Sequence, residues 1–175
     1  MPIKSKIRTI PNWPKEGIMF RDITTLLNDP IGLKLTIKQF VDKYKDTDID
    51  VVAGIEARGF ILGPIIAHEL ELGFVPIRKA GKLPGATHSQ KYELEYGVDT
   101  IEIHQDAIEK GQKVLLVDDL LATGGTIFGA IKLIEKSGGI VKESCFIVDL
   151  PEIGGAKKLT EAGYKWHALV NFEGH

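Results

Sequence analysis

Residues 114–126 read VLLVDDLLATGGT: four apolar residues, two adjacent aspartates, two leucines, an alanine and then a Thr-Gly-Gly-Thr turn. The apolar run predicts a buried strand that ends in the two aspartates. Ligands of open parallel sheets bind beyond the carboxyl ends of the strands, so Asp118 and Asp119 are predicted to border a binding crevice. The glycines of the turn have no Cβ, and residues 123–126 can therefore curl their backbone amides around a phosphate at the N-terminus of the next helix. The aspartates would repel that phosphate, so they are better suited to sugar hydroxyls and to a cationic centre.

The rest of the chain alternates predicted strands with predicted helices. Strands are expected at 49–55, 73–78, 112–119, 140–150 and 167–172, and helices at 29–46, 59–70, 125–138 and 154–163. This alternation predicts an α/β fold in which a parallel twisted sheet is flanked by helices. Residues 79–104 interrupt this pattern. The segment begins with turn residues, and the alternation of apolar and polar residues on either side of Gly97 then predicts a hairpin. We expect this segment to be a flexible insertion beside the sheet.

Length, charge and cysteine usage restrict the class of protein. The chain has 175 residues with 43% hydrophobic content, which suits one well-packed domain spanning residues 1–175. Twenty-two basic and 24 acidic side chains give a net charge of -2, so no overall field attracts nucleic acid or an anionic membrane. No apolar run has the length of a membrane span or a secretory leader. The single Cys145 cannot form an internal disulfide, and we expect a cytoplasmic protein.

The histidines give no sign of a metal site. None of them has metal-ligand spacing, and four are expected to be structural or exposed: His68, His104, His167 and His175. His88 lies in the irregular segment and is assigned no role. We therefore predict no metal bound by protein ligands alone.

The stretch around Asp118 resembles the thirteen-residue phosphoribosyl pyrophosphate motif of the type I phosphoribosyltransferases. Five segments occur in the order and spacing of the adenine phosphoribosyltransferase family: GIMFRDIT (17–24), GIEARGF (54–60), IRKAGKLPG (77–85), LEYG (94–97) and VDDLLATGGT (117–126). The resemblance covers roughly residues 7–150. It implies the type I phosphoribosyltransferase fold, with an N-terminal base-binding hood at about 7–28 and a flexible lid hairpin at about 79–104.

The same resemblance implies purine salvage chemistry. Adenine and 5-phosphoribosyl-1-pyrophosphate would be converted to AMP and pyrophosphate, with Mg²⁺ carried by the pyrophosphate substrate and water rather than by a protein cage. The family also implies a homodimer, in which residues 79–88 or the region of Arg58 lie close to the partner's site. Because displacement of pyrophosphate passes through an oxocarbenium-like state, catalysis needs leaving-group charge to be stabilised and the base to be oriented.

The resemblance assigns the ribose phosphate to the central motif. The turn from Ala122 to Thr126 would hold the 5′-phosphate through Ala122, Thr123, Gly124, Gly125 and Thr126. Asp118 and Asp119 would hold the ribose hydroxyls, although adjacent aspartates alone are usually a solvated strand end. Arg58 would contact pyrophosphate, whereas without the resemblance it would be expected to pair with Glu56 at the surface.

The remaining assignments concern pyrophosphate, the base and the lid. Lys79 and Lys82 match pyrophosphate-contacting lysines, although lysines in a turn-rich segment are ordinarily solvent-facing. Phe20, by default a core aromatic, would form one face of the adenine slot, and Leu120 would form the other. The main chain of Met19 and Arg21 would read the purine edge, with a carbonyl accepting from N6 and an N–H donating to N1.

Glu95 is the hardest residue to assign. An isolated glutamate in a hairpin is usually an outward carboxylate. By resemblance Glu95 belongs to the closing lid, where it would accept or orient the N9 proton while Tyr96 seals or assists the site. The catalytic set is then Glu95, Arg58, Asp118 and Asp119.

Two alternatives stay open from the sequence. A 6-oxopurine phosphoribosyltransferase shares the central motif, but residues 17–24 argue against it. A non-catalytic regulator could bind the sugar phosphate as a signal on the same fold. We would expect such a regulator to add a DNA-binding segment or to lose the lid residues, and the sequence shows neither change.

Overall fold

The computed structural model describes residues 2–174, which form ten strands and five α-helices. The strands are β1 Arg8–Pro11, β2 Met19–Asp22, β3 Val51–Ile55, β4 Gly73–Lys79, β5 Thr87–Glu93, β6 Val98–His104, β7 Lys113–Val117, β8 Leu120–Leu121, β9 Ile140–Asp149 and β10 Trp166–Asn171. The helices are α1 Thr24–Asn28, α2 Pro30–Tyr44, α3 Gly59–Glu69, α4 Gly125–Lys136 and α5 Gly155–Glu161. Two 3₁₀ turns are found at Lys4–Lys6 and Pro151–Ile153.

The main sheet is mixed, with a parallel centre. Its strand order is β10-β9-β7-β3-β4-β6-β5, and β8 pairs with β9. Strands β10, β9, β7, β3 and β4 are parallel, whereas β6 runs antiparallel to both β4 and β5. Because β3 and β7 are neighbours, with Gly54 opposite Val117, the segments that follow them leave the sheet side by side. That edge carries Arg58 after β3 and Asp118 after β7.

Each face of the sheet carries its own hydrophobic core. Side chains alternate along the central strands, so Val52 and Leu115 pack on one face and Ala53 and Leu116 on the other, all of them fully buried. The first face is covered by α2 and α3 together with the N-terminal segment. The second face is covered by α4 and α5. Residues buried on both faces explain why these strands read as continuous apolar runs.

The predicted fold class and most predicted elements are confirmed, with two corrections at their edges. The strand predicted at 112–119 ends at Val117, and the two aspartates lie in the connection before β8. The segment 79–104 was wrongly expected to lie beside the sheet. Its strand β6 pairs with β4, and its other strand begins at Thr87 inside the stretch expected to be turns. Ile101 and Ile103 of β6 are buried, which ties the hairpin to the core.

The N-terminal segment forms a separate small sheet beside the main one. Strands β1 and β2 pair antiparallel, with Ile10 opposite Phe20 and Pro11 opposite Met19. Arg8 donates to the buried carboxylate of Asp22, which ties the two strands together. Within residues 2–174, no helix combines the length and hydropathy needed to cross a membrane.

Candidate active site

The phosphate-type turn has the backbone geometry that its sequence predicts. Gly124 has φ +86°, a left-handed conformation that favours glycine, and α4 begins at the next residue. The amide of Gly125 points towards the Thr123 hydroxyl oxygen, at 3.4 Å. A cavity of about 210 Å³ lies over this turn; its lining residues are Arg58 and residues 118–127. The turn at the start of a helix can therefore present several N–H groups to one anion.

Helix α5 supports the turn from behind, an arrangement that the sequence did not indicate. The amide of Gly155 donates to the carbonyl oxygen of Ala122 at 2.9 Å. A Cβ on Gly155 would clash with that carbonyl, so glycine is needed for the close approach. Lys158, one turn further along, places Nζ 3.3 Å from the carbonyl oxygen of Thr123. The paired glycines before a short lysine-bearing helix were the available sequence signal.

Asp118 and Asp119 lie between β7 and β8 in different environments. The Asp118 carboxylate accepts from the amide of Asp119 at 2.9 Å. Burial, and after it the charge of the neighbouring Asp119, raises the pKa of Asp118 well above its ordinary value. The Asp119 side chain is 7% exposed and pairs with the guanidinium of Arg58. The Asp119 carboxylate is therefore paired with a cation, whereas the Asp118 carboxylate has no ion-pair partner among residues 2–174.

Arg58 does not pair with Glu56, so that alternative is wrong. Instead Glu56 accepts from the backbone N–H of Lys79 at 2.6 Å and from Lys82 Nζ at 3.0 Å. Burial would raise the pKa of Glu56, but these bonds outweigh it and the pKa lies below its usual value. Lys79 Nζ in turn lies 3.3 Å from Asp99. Neither lysine lines the cavities around the aspartates, so the structure holds both of them in ion pairs beside the site.

A larger cavity of about 730 Å³ adjoins the turn. Its walls come from the N-terminal segment, the aspartate region, the hairpin and the β9–α5 connection: Pro14, residues 16–21, Arg58, Glu95, Asp119, Leu120, Ala122, Thr123, Leu150 and Ile153. Most of its surface is apolar, which suits a flat heterocycle. Leu150 and Ile153 were missed from the sequence because they come from a segment without a recognisable motif.

Phe20 lies at this cavity and not in the core. Its ring meets the ring of Trp13 edge to face, with centroids 4.5 Å apart and an interplanar angle of 67°. Leu120 is on the wall of the same cavity, as expected for the second face of a slot. Trp13 is half exposed and was also missed, because a tryptophan in a proline-flanked turn carries no local motif.

The side chain of Arg21 is held by residues that do not line the cavity. Its guanidinium donates to the Thr9 hydroxyl at 2.6 Å and to the carbonyl of Glu173 at 3.0 Å. It also lies 4.5 Å from the centroid of the Phe172 ring. Any contact of Arg21 with a base would therefore come from its main chain.

The tip of the β5–β6 hairpin reaches the same cavity. Glu95 is exposed and lines both this cavity and a neighbouring one between the hairpin and α4. Tyr96 is 72% exposed, and Lys15 Nζ lies 3.9 Å from its ring centroid. This cation–π contact joins the hairpin tip to the N-terminal segment across the cavity mouth.

The end of β5 next to the hairpin tip packs tightly on α4. A Cβ on Gly125 would clash with the carbonyl of Glu93, and a Cβ on Gly129 would lie 2.8 Å from Cβ of Tyr92. Tyr92 is buried, and its hydroxyl lies 3.4 Å from Asp99. The hairpin is thus packed against α4 as far as Glu93, and residues 94–97 lie beyond this contact.

Most of the predicted site residues are brought together. Those that line the two cavities are Met19, Phe20, Arg21, Arg58, Glu95, Asp118, Asp119, Leu120, Ala122, Thr123, Gly124, Gly125 and Thr126. Tyr96 lies at the mouth, and Lys79 and Lys82 lie apart. Residues 2–174 contain no group of three or more His, Cys, Asp or Glu side chains that could hold a metal ion. His175 lies outside the described residues.

The sheet, the phosphate-type turn at its carboxyl edge and the flanking cavity define a phosphoribosyltransferase, and residues 22–159 match the model of the phosphoribosyl transferase domain. The adenine phosphoribosyltransferase of Prosthecochloris aestuarii is 60% identical over 99% of each chain. The chain belongs to the adenine phosphoribosyltransferase family. This assignment favours the adenine hypothesis over the 6-oxopurine alternative.

Solved structures agree with this family assignment. The adenine phosphoribosyltransferase of Thermoanaerobacter pseudethanolicus superposes with a TM-score of 0.93 at 48% identity, covering 98% of both chains. The enzyme of Saccharomyces cerevisiae superposes with a TM-score of 0.89 at 36% identity, covering 97% of both chains. That enzyme was solved in complex with adenine and an imino-altritol bisphosphate.

Proposed function

We propose that the chain transfers the 5-phosphoribosyl group from 5-phosphoribosyl-1-pyrophosphate to adenine, with one cavity for the base and an adjoining one for the sugar phosphate. The observation that carries this proposal is that the two cavities share a wall. The shared residues are Arg58, Asp119, Leu120, Ala122 and Thr123. In the reaction N9 of adenine bonds to the anomeric carbon, the bond from that carbon to pyrophosphate breaks, and the electron pair leaves with pyrophosphate.

The sugar phosphate belongs on the turn. Backbone amides of residues 122–126 bind the 5′-phosphate, and the N-terminus of α4 stabilises its charge. Asp118 and Asp119 accept hydrogen bonds from the ribose hydroxyls. Their carboxylates also lie close to the anomeric carbon, where positive charge develops in the transition state.

The leaving group belongs beside Arg58. Its half-exposed guanidinium borders both cavities, and its only ion-pair partner among the described residues is Asp119. A planar fork of N–H donors suits pyrophosphate oxygens. Lys79 and Lys82 are proposed to join it after exchanging their carboxylate partners, Asp99 and Glu56, for pyrophosphate.

The base lies between Phe20 and Leu120. Pro11 stands opposite Met19 in the β1–β2 pair and has no N–H, so the Met19 carbonyl receives no hydrogen bond from the residue opposite. That carbonyl is the proposed acceptor for N6 of adenine, and a main-chain N–H of the same strand is the donor to N1. Hypoxanthine and guanine reverse both roles and would leave buried groups unpaired.

The lid and hood belong to one domain, residues 1–175. Residues 7–28 form the hood over the base, and residues 79–104 form the lid, of which only the tip moves. Glu95 takes or orients the N9 proton, and Tyr96 closes the mouth through its contact with Lys15.

Magnesium enters with the substrate. Among residues 2–174, the carboxylates that line the sugar-phosphate cavity are the two adjacent aspartates, one already paired with Arg58, and this donor set suits a hydrated ion carried by pyrophosphate. The bound ion would neutralise charge on the leaving group.

We also propose a cytoplasmic homodimer. Exposed Ile31 and Ile61 on α2 and α3 support the dimer, and sedimentation of an Ile61→Asp variant tests it.

The experiment is formation of labelled AMP from labelled adenine and 5-phosphoribosyl-1-pyrophosphate, with and without Mg²⁺. We expect AMP and pyrophosphate in equal amounts, and only with Mg²⁺ present. Binding of the sugar phosphate without any AMP would instead support the non-catalytic regulator.

A further inference from the structure

The turn that is proposed to bind the 5′-phosphate contains no basic side chain. Residues 122–126 read ATGGT, and the aspartates just before them repel an anion. A phosphate monoester carries about −1.5 to −2 charges at neutral pH. Arg58 borders the turn, but it pairs with Asp119 and is assigned to the leaving group. A cation for the 5′-phosphate should therefore come from elsewhere in the fold.

Lys158 is the cation that the structure brings to this turn. Gly155 packs against the Ala122 carbonyl and draws the first turn of α5 onto the loop. Lys158 Nζ then lies 3.3 Å from the carbonyl oxygen of Thr123. The same side chain lines the cavity of about 590 Å³ between the hairpin and α4, and this cavity shares Thr123 and Gly125 with the sugar-phosphate cavity.

The charge of Lys158 is not compensated. Among residues 2–174, no carboxylate lies within 4.0 Å of its ammonium, and its hydrogen-bond partner is a neutral carbonyl. The adjacent Lys157 is also exposed but has a carboxylate partner, because its Nζ lies 3.8 Å from Glu161. A phosphate dianion at the turn would supply the missing negative partner.

We propose that Lys158 is a substrate-binding residue whose ammonium donates to the 5′-phosphate of 5-phosphoribosyl-1-pyrophosphate and of AMP. The inference rests on the proposed function for its ligand. It adds a side-chain cation to a site otherwise built from backbone amides. Lys91 and Lys132 line the same cavity but make no hydrogen bond to the turn within the described chain, so they are assigned no direct contact.

The test compares AMP with adenosine, which differ only in the 5′-phosphate. Calorimetry gives the Kd of both for the wild type and for Lys158→Met, Lys157→Met and Lys132→Met. We expect Lys158→Met to weaken AMP binding roughly ten- to a hundredfold, the range for hydrogen bonds to charged groups, and to leave adenosine binding unchanged. The other two variants remove the same charge and should shift the Kd of AMP less than about threefold.

Two further variants separate charge from support of the turn. Lys158→Arg keeps the charge and should restore most of the AMP affinity. Lys158→Gln keeps an N–H donor for the Thr123 carbonyl and should not restore it. Since the second phosphate pKa is near about 6, wild-type affinity for AMP should fall between pH 7.5 and 5.5, and it should fall less steeply in Lys158→Met.

Several results would overturn the inference. These are unchanged AMP binding in Lys158→Met, an equal loss in all three methionine variants, an equal loss for adenosine, or recovery with Lys158→Gln. Unchanged AMP binding would show that Lys158 does not contact the phosphate, and each of the other three results would assign it to the general field or to support of the turn. Absence of AMP synthesis by the wild type would instead refute the proposed function, and the AMP–adenosine comparison would still report on Lys158.

Discussion

The guanidinium of Arg58 forms an ion pair with Asp119, joining the segment after β3 to the segment after β7. The Arg58 side chain is 51% exposed, whereas that of Asp119 is 7% exposed. The pair therefore joins a half-exposed cation at the crevice to a buried carboxylate. This arrangement leaves part of the guanidinium fork facing the cavity, where a departing anion can bind.

Arg58→Ala should lower turnover and weaken pyrophosphate binding while leaving adenine affinity nearly intact, because the leaving group loses its cation. Asp119 also loses its ion-pair partner, which should lower the stability of the variant. Steady-state rates and calorimetric Kd values for pyrophosphate and adenine measure this. Lys38→Ala, which removes an exposed ion pair with Asp42 on α2, is the control for a lost surface cation. An unchanged Kd for pyrophosphate would mean that Arg58 serves only to neutralise Asp119.

Asp118→Asn should make the protein more stable and less active. Since burial raises the pKa of Asp118, the folded protein keeps this proton to higher pH than the unfolded chain does. The free energy of unfolding therefore falls as pH rises from the ordinary aspartate value towards the raised one, and the penalty persists above it. Asparagine removes that penalty and keeps the oxygen that accepts from Asp119, but it is a weaker partner for ribose.

Denaturant unfolding at pH 5, 6, 7 and 8 measures this effect, with exposed Asp106→Asn as the control. The Asp118 variant should be more stable than the wild type at pH 7 and less dependent on pH. Lower stability of the Asp118 variant at every pH would show that its carboxylate is well compensated in the fold.

Glu95→Gln should reduce kcat by about 10²–10⁴, the range for general acid–base groups, with little change in substrate Kd. Glutamine keeps the shape and hydrogen-bonding reach but cannot take the N9 proton. Single-turnover measurements are needed, because slow lid opening could limit steady-state turnover. Glu93→Gln is a matched control, since Glu93 lies on the same hairpin and cavity. If the single-turnover rate of Glu95→Gln equals that of the wild type, the N9 proton must leave by another route.

Trp13→Ala should raise the KM for adenine about two- to tenfold without changing the KM for 5-phosphoribosyl-1-pyrophosphate. The edge-to-face contact supports the Phe20 ring, and such pairs contribute about 0.5–1.5 kcal/mol. Trp13 is half exposed, so the melting temperature should hardly change and serves as the control. Equal changes in both KM values would instead indicate a general loosening of the hood.

The sequence predicts best those parts of the site that are contiguous in the chain. Asp118, Asp119 and the glycine turn lie in one stretch, where strand end, turn and helix start follow from local chemistry. Phe20 could be placed in the base slot only through the family resemblance, since a phenylalanine alone is more often in the core.

Contacts between segments that are far apart in the chain could not be predicted from the sequence. Nothing local indicates that Arg58 pairs with Asp119, that β6 joins β4, or that Lys82 pairs with Glu56. Gly155 and Lys158 were missed for the same reason, because their role depends on how α5 packs on a turn more than 30 residues earlier. These contacts depend on tertiary packing, which the periodicity of apolar residues along the chain does not indicate.

The most direct test is a competition in which adenine, hypoxanthine and guanine are offered together with 5-phosphoribosyl-1-pyrophosphate and Mg²⁺, and kcat/KM is determined for each base. Each reversed main-chain hydrogen bond leaves a buried group unpaired at a cost of about 1–3 kcal/mol, so two of them, about 2–6 kcal/mol together, predict a preference for adenine of at least about thirtyfold. AMP should then be almost the sole nucleotide formed. Comparable kcat/KM values for hypoxanthine or guanine would contradict the backbone reading of the base and the function built on it.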